Sequence, residues 1–247
     1  MQKLLGLMRR CVEDYDMIRA GDTVAVGVSG GKDSMALLTL LSALREFYPA
    51  PFEVEAFTID LGFPGMDYGP VADYCRDLGV PYTLVETQIK TVVFDLRREK
   101  NPCSMCAKMR RGALNEAILK KGITKIALGH HRDDAVETFL MSLIYEGRIS
   151  CFQPVTYLDR TGVTQIRPML YIPEQSLIHF ADRRKLPVVE NECPADKTSK
   201  RHEIKELIYA LCGRYPDLKD RVMGAIQRYP LEAWETVEHP REEREAP

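Results

Sequence analysis

The chain has 247 residues, 45% of them apolar and 28% charged, with a formal net charge of −2. These are the proportions of an ordinary globular protein, and they exclude a disordered, collagen-like or disulfide-knot chain. No apolar run approaches the roughly 18–20 residues of a membrane span. The charged N-terminus MQKLLGLMRRCVEDYDM is not a secretory signal, so a cytoplasmic protein without membrane contact is expected.

Residues 1–20 carry Leu4, Leu5, Leu7, Met8, Cys11 and Met17 near helical spacing. After Gly21-Asp22, the β-branched run Thr23–Val28 reads as a strand buried on both faces. A glycine turn follows, then a helix from Ser34 to Phe47. The alternation continues with a strand at Val54–Asp60, a helix at Val71–Leu78 and a strand at Tyr82–Glu86. A helix at Lys108–Lys121, a strand at Ile123–Leu128 and a helix at Asp133–Tyr145 come next. Strands and helices taking turns predict crossover units and a mostly parallel sheet covered by helices. Beyond Gly147 the pattern loosens to a strand at Val163–Arg167 and helices at Glu174–Lys185, Arg201–Cys212 and Leu218–Arg228.

Charge is unevenly distributed. The segment Leu231–Pro247 holds six Glu and two Arg, whereas Arg97–Lys125 holds nine Lys or Arg and two Glu. The basic stretch reads either as a solvated helix face or as contact with an anionic partner.

The loop Ser29-Gly30-Gly31-Lys32-Asp33-Ser34 joins the first buried strand to the next helix. Ligands of open α/β sheets bind at such junctions. Glycines bring backbone N–H groups close to an anion, the helix N-terminus adds partial positive charge, and Lys32 and the two serine hydroxyls add donors. This pattern describes a phosphate cradle. It is neither a Walker A loop nor G-x-G-x-x-G, because Asp33 follows Gly31-Lys32 where Ser or Thr should stand.

Seven cysteines, an odd number, argue against a disulfide framework. Cys11, Cys75, Cys151 and Cys212 are isolated and read as small buried hydrophobes. Cys103 and Cys106 form a C-x-x-C just before a helix, a spacing that suits either two thiolates on one metal or a redox pair. No second C-x-x-C exists, and Cys193, in a Pro-bounded stretch, is the best candidate for a further ligand. Three thiolates suit an iron–sulfur cluster with one open iron better than structural zinc.

SGGKDS after a first strand resembles the signature of the PP-loop ATP pyrophosphatases. The segment from Cys103 to Gly147, with C-x-x-C-x-x-x-R-R and G-H-H-x-D-D, followed by Ile166–Tyr171 (IRPMLY), resembles the TtcA-type tRNA 2-thiocytidine synthetases. The resemblance covers about residues 20–215. It implies a Rossmann-like α/β fold, with a parallel sheet covered by helices and a helical C-terminal extension. Residues 1–20 would form an N-terminal helix and 21–190 the PP-loop domain. Residues 191–230 would form the extension with the third cysteine, and 231–247 an acidic tail. ATP would be held with Mg²⁺ by Ser29, Gly30, Gly31, Lys32, Asp33 and Ser34, with Asp60, Gly129 and His130 nearby. Cys103, Cys106 and Cys193 would bind a 4Fe–4S cluster.

The implied reaction adenylates O2 of an anticodon-loop cytidine, cytidine-32 by resemblance. Sulfide on the open iron then displaces AMP. Lys32, Asp33, Asp133, Asp134 and Arg111 are the candidate catalytic residues. Asp133 and Asp134 are read as opening toward the cleft, with one of them expected to be only a helix cap. His130 and His131 read either as ligand contacts or as satisfied hydrogen-bonding residues. Arg110 and Arg111 could bind nucleic acid or stabilise charge near the cluster. Expected partners are tRNA, a sulfur donor such as a cysteine desulfurase, and a second copy in a homodimer. The alternatives are thiolation of another base or of a small molecule, lysidine-type amination, and a cluster protein without catalysis.

Overall fold

The computed structural model describes residues 1–97, 102–189 and 200–229, and the side chain of Cys103 is outside that description. Six strands form one sheet: β1 (Thr23–Gly27), β2 (Glu53–Asp60), β3 (Tyr82–Glu86), β4 (Lys125–Ala127), β5 (Val155–Leu158) and β6 (Val163–Ile166). Their order is β3-β2-β1-β4-β6-β5, parallel except for the antiparallel pair β5–β6. The helices are α1 (Gln2–Asp14), α2 (Lys32–Arg45), α3 (Gly69–Asp77), α4 (Pro102–Lys120), α5 (Arg132–Glu146), α6 (Glu174–Arg184), α7 (Lys200–Arg214) and α8 (Leu218–Arg228).

Side chains alternate across the sheet as a strand requires. Val24, Val26, Val54 and Ala56 pack on the face covered by α1, α2 and α6. Ala25, Phe57, Ile59 and Ile126 pack on the other face with Leu114 and Ile118 of α4. A sheet covered on both faces explains why β1 reads as a continuous apolar run. Between β1 and β4 the strand order switches: β2 and β3 are added on one side of β1, and β4 and β6 on the other. Such a switch point opens a crevice at the carboxyl edge, where ligands bind in this class of fold.

Three local expectations need correction. The first helix ends at Asp14 rather than near residue 20, and Asp16 turns the chain at φ 44°. Helix α4 begins at Pro102, so the C-x-x-C lies within its first turns and not ahead of it; proline is well suited to a first turn because its missing N–H would have no helical partner. The edge strand β5 and a π-helical turn at Thr91–Leu96 were not apparent in the sequence pattern.

Candidate functional site

The loop after β1 is fastened by its own side chains. Ser34 is buried; its Oγ donates to the Gly31 carbonyl at 2.9 Å and accepts from the Ser29 N–H at 3.1 Å. Gly30 has φ 83°, a conformation that side chains disfavour. A Cβ added there would also lie 2.9 Å from Cβ of Val189, whose N–H donates to the Gly30 carbonyl at 3.0 Å. The first N–H groups of α2 have no partners within the helix, so a stiff loop presents them together with Lys32.

Lys32 reaches both oxygens of Asp33, at 2.8 and 2.9 Å, and Glu174 Oε1 at 3.1 Å. Burial works against the Lys32 charge, but the two carboxylates outweigh it and raise its pKa above the ordinary range. Glu174 opens α6 and is a site residue that the sequence reading missed. An acidic residue in a first helical turn is too common to reveal a partner 142 positions away.

On the other side of the switch point, Gly129 follows β4. Its Cα packs so closely on α2 that an added Cβ would lie 3.3 Å from the Ser34 nitrogen. His131 then caps α5: its Nδ1 accepts from the Asp134 N–H, and its own N–H donates to Asp134 Oδ2 at 2.9 Å. Accepting at Nδ1 leaves the ring proton on Nε2, which faces Asp33 at 3.8 Å and Glu174 at 3.9 Å. His130 stacks on Phe152 at 4.9 Å, and its buried Nδ1 has no hydrogen-bond partner. Asp60, at the end of β2, accepts from the Gly62 N–H at 2.9 Å.

Both α5 carboxylates are engaged. Asp134 completes the capping box with His131 and also meets Arg201 at 3.3 Å. Asp133 is buried, accepts from the Glu174 N–H at 2.8 Å and pairs with Lys219 at 2.6 Å. Burial pushes the Asp133 pKa up, yet Lys219 and the Glu174 N–H prevail and hold it below the usual range. Arg201 also donates to Glu137 at 3.0 Å, and Lys205 lies 3.5 Å from both Glu137 and Glu174. Cations of α7 and α8 thus clasp a carboxylate cluster beside the loop. Two open cavities border this network. One of 540 Å³ has Lys32, Ala181, Leu186 and Val188 on its walls, and one of 570 Å³ is lined by Glu137, Glu174, Lys205 and Lys219.

Helix α4 follows β3 and precedes β4, so its first turns lie at the same carboxyl edge. Cys106 is half-buried and packs against the apolar cluster that holds Leu114, Ile118 and Ile126. Cys193 lies outside the described residues. Among those described, no three His, Cys, Asp or Glu side chains gather as a metal site. Part of the basic stretch is neutralised: Lys120 pairs with Glu116, Lys121 with Glu55 and Lys125 with Asp22. Lys108, Arg110 and Arg111, near the C-x-x-C, are exposed. No helix among the described residues is long and apolar enough to cross a membrane.

A family model described as a PP-loop domain matches residues 6–211. A tRNA-cytidine(32) 2-sulfurtransferase of Geobacter sulfurreducens is 38% identical over 238 residues, 94% of this chain and 93% of that protein. The enzyme of the same name from Anaeromyxobacter dehalogenans is 38% identical over 227 residues, 91% of this chain and 78% of its own. Among solved structures, the U34-tRNA thiolase NcsA of Methanococcus maripaludis, with its [4Fe-4S] cluster, matches with a TM-score of 0.72 and 24% identity. That match covers 91% of this chain and 77% of the thiolase, and at that identity the likeness is one of fold.

Proposed function

The chain belongs to the PP-loop family of tRNA-cytidine(32) 2-sulfurtransferases, and from that premise we propose that it replaces O2 of cytidine-32 in tRNA by sulfur at the expense of ATP. The observation that carries the reading is the meeting, at one carboxyl edge, of a stapled phosphate loop and the first turns of the C-x-x-C helix. The segment holding Cys193 is flanked by Val189, bonded to Gly30, and by Arg201, bonded to Asp134. Both anchors belong to that edge.

In this reading, residues 29–34 hold the β and γ phosphates, and Lys32 exchanges Asp33 and Glu174 for phosphate oxygens. Mg²⁺ enters with the nucleotide, since it favours phosphate and carboxylate oxygens, and Asp33 is the carboxylate best placed to meet it. Cytidine O2 attacks the α-phosphorus, the bond to the bridging oxygen breaks, and pyrophosphate leaves with that electron pair. The adenylated O2 is then a good leaving group. Sulfide adds at C2, and AMP departs with the oxygen, leaving a C2–sulfur bond. The donor set Cys103, Cys106 and Cys193 fits a [4Fe–4S] cluster, which would supply one iron free of protein ligands to carry sulfide. Exposed Lys108, Arg110 and Arg111 meet the tRNA backbone, and the unstacked target base enters the cleft. A cysteine desulfurase serves as sulfur donor, and a homodimer would enlarge the basic surface.

Mass spectrometry of tRNA nucleosides tests the reading. 2-Thiocytidine is lost in a strain without this protein and restored by its expression; persistence of the nucleoside in the deletion strain overturns the assignment. Cys193→Ala in anaerobically purified protein should lose the brown cluster absorbance and thiolation but retain ATP binding. Unchanged absorbance would exclude Cys193 as the third ligand.

A further inference from the structure

We propose that Arg167 and His130 form a phosphate-binding pair at the carboxyl edge of β4 and β6, beside the nucleotide loop. The inference rests on the thiolation reading for the identity of its ligand, a phosphate oxyanion of the nucleotide or of the tRNA backbone.

Arg167 immediately follows β6 and is 6% exposed. Its Nη1 donates to the Gln153 carbonyl and, at 3.1 Å, to Thr156 Oγ1, while the guanidinium lies 5.0 Å from the centre of the Phe152 ring. Its buried Nε–H has no hydrogen-bond partner. No carboxylate of the described residues lies within ion-pair distance of it. A buried cation normally has a counterion or is replaced by an apolar group. Here the nearby groups that act on its charge are the Cys151 thiol and a second cation, Arg111 of α4. Burial and Arg111 push Arg167 down to about 10, so the arginine is charged at pH 7 while lacking an anion.

His130 meets the same Phe152 ring, with 4.9 Å between ring centroids. Burial, with the Arg167 charge, pushes its pKa down to about 4. The imidazole is therefore neutral at pH 7, with one N–H to give and with Nδ1 unpartnered. A cation and a neutral donor without an acceptor are complementary to an oxyanion, and a guanidinium matches phosphate geometry better than other cations do. Their place suits a substrate group. β6 lies beside β4, His130 follows the Gly129 that packs on the phosphate loop, and the Arg111 charge of α4 acts on Arg167.

The test uses anaerobically purified, cluster-loaded protein and its Arg167→Lys and Arg167→Gln variants. The probes are AMP, pyrophosphate and unmodified tRNA. A nucleotide phosphate predicts AMP binding weakened about tenfold or more, with pyrophosphate binding unchanged. A backbone phosphate predicts unchanged AMP binding, weaker tRNA binding and a salt dependence shallower by about one phosphate contact. Variants that bind AMP and tRNA like the wild type overturn the inference. If neither variant folds, arginine-labelled wild-type protein decides: the protected Nε–H resonance of Arg167 should shift on adding AMP or tRNA, and a resonance that stays fixed with both overturns it. Wild-type protein that binds no ATP, or forms no 2-thiocytidine, would instead defeat the thiolation reading itself.

Discussion

The phosphate loop and the C-terminal helix pair lie on either side of the α5 N-terminus, and they are held by opposite means. The loop is fixed by neighbours in sequence: Ser34 bonds back to Ser29 and Gly31 within five residues. Helices α7 and α8 are fixed by distant charges that reach into carboxylates with little exposure, notably Asp133 and Glu137 at 3% each. Apolar contacts supplement them: Ile204 and Ile208 pack with Val136, and Met223 and Ile226 of α8 join the main core. A short-range staple gives a shape that exists before any ligand arrives. A long-range ionic clasp makes the position of the C-terminal helices depend on the same acids that border the nucleotide loop.

The largest effect should come from the loop. Lys32→Ala should lower thiolation about 100- to 1,000-fold, in the range seen when a preorganised charge donor is removed from a transition state. The cluster absorbance should be retained. A variant whose rate falls less than about tenfold would mean that the helix N-terminus alone carries the phosphates.

The clasp should break next. Lys219→Met leaves Asp133 buried without its cation and should cost about 3 kcal/mol in urea unfolding. Asp133→Asn combined with Lys219→Met should recover much of that loss, because the stranded charge is gone. Additive losses in the double variant would show that packing, rather than charge, docks α8.

The smallest effect is a pH dependence that sharpens the contrast. His130 has a folded-state pKa near 4, below its ordinary 6.5, so the unfolded chain binds more protons between these values. Its contribution to stability is complete above pH 6.5 and is lost as pH falls toward 4. Arg167, Arg201 and His131 disfavour the His130 charge, and Asp134 favours it. Thermal melts of wild type and His130→Gln should therefore converge as pH falls from 6.5 to 4. Parallel curves would mean that His130 takes up its proton equally in the folded and unfolded protein.

Sequence reasoning reached the features whose cause is local. The apolar β1 run follows from burial on both faces, and the Gly30 and Ser34 positions follow from the turn that they build. Strand β3 was readable to its ends, Tyr82 and Glu86. What it could not reach depends on separation along the chain. Lys219 meets Asp133 across 86 positions and Glu174 meets Lys32 across 142, and neither pair leaves a periodic trace. Arg167 stood in a recognised stretch, yet only the fold reveals that it is buried without a carboxylate. Strand β5 was hidden because an edge strand of four residues with exposed Tyr157 has too little pattern to separate it from a turn.

The bond from Val189 to the Gly30 carbonyl carries an evolutionary consequence. One peptide group both closes on the glycine loop and anchors the stretch leading to Cys193. Insertions just after Leu186 would detach that tether even though they lie outside any recognisable motif. The spacing from α6 to Val189 should therefore stay constant where the neighbouring side chains drift.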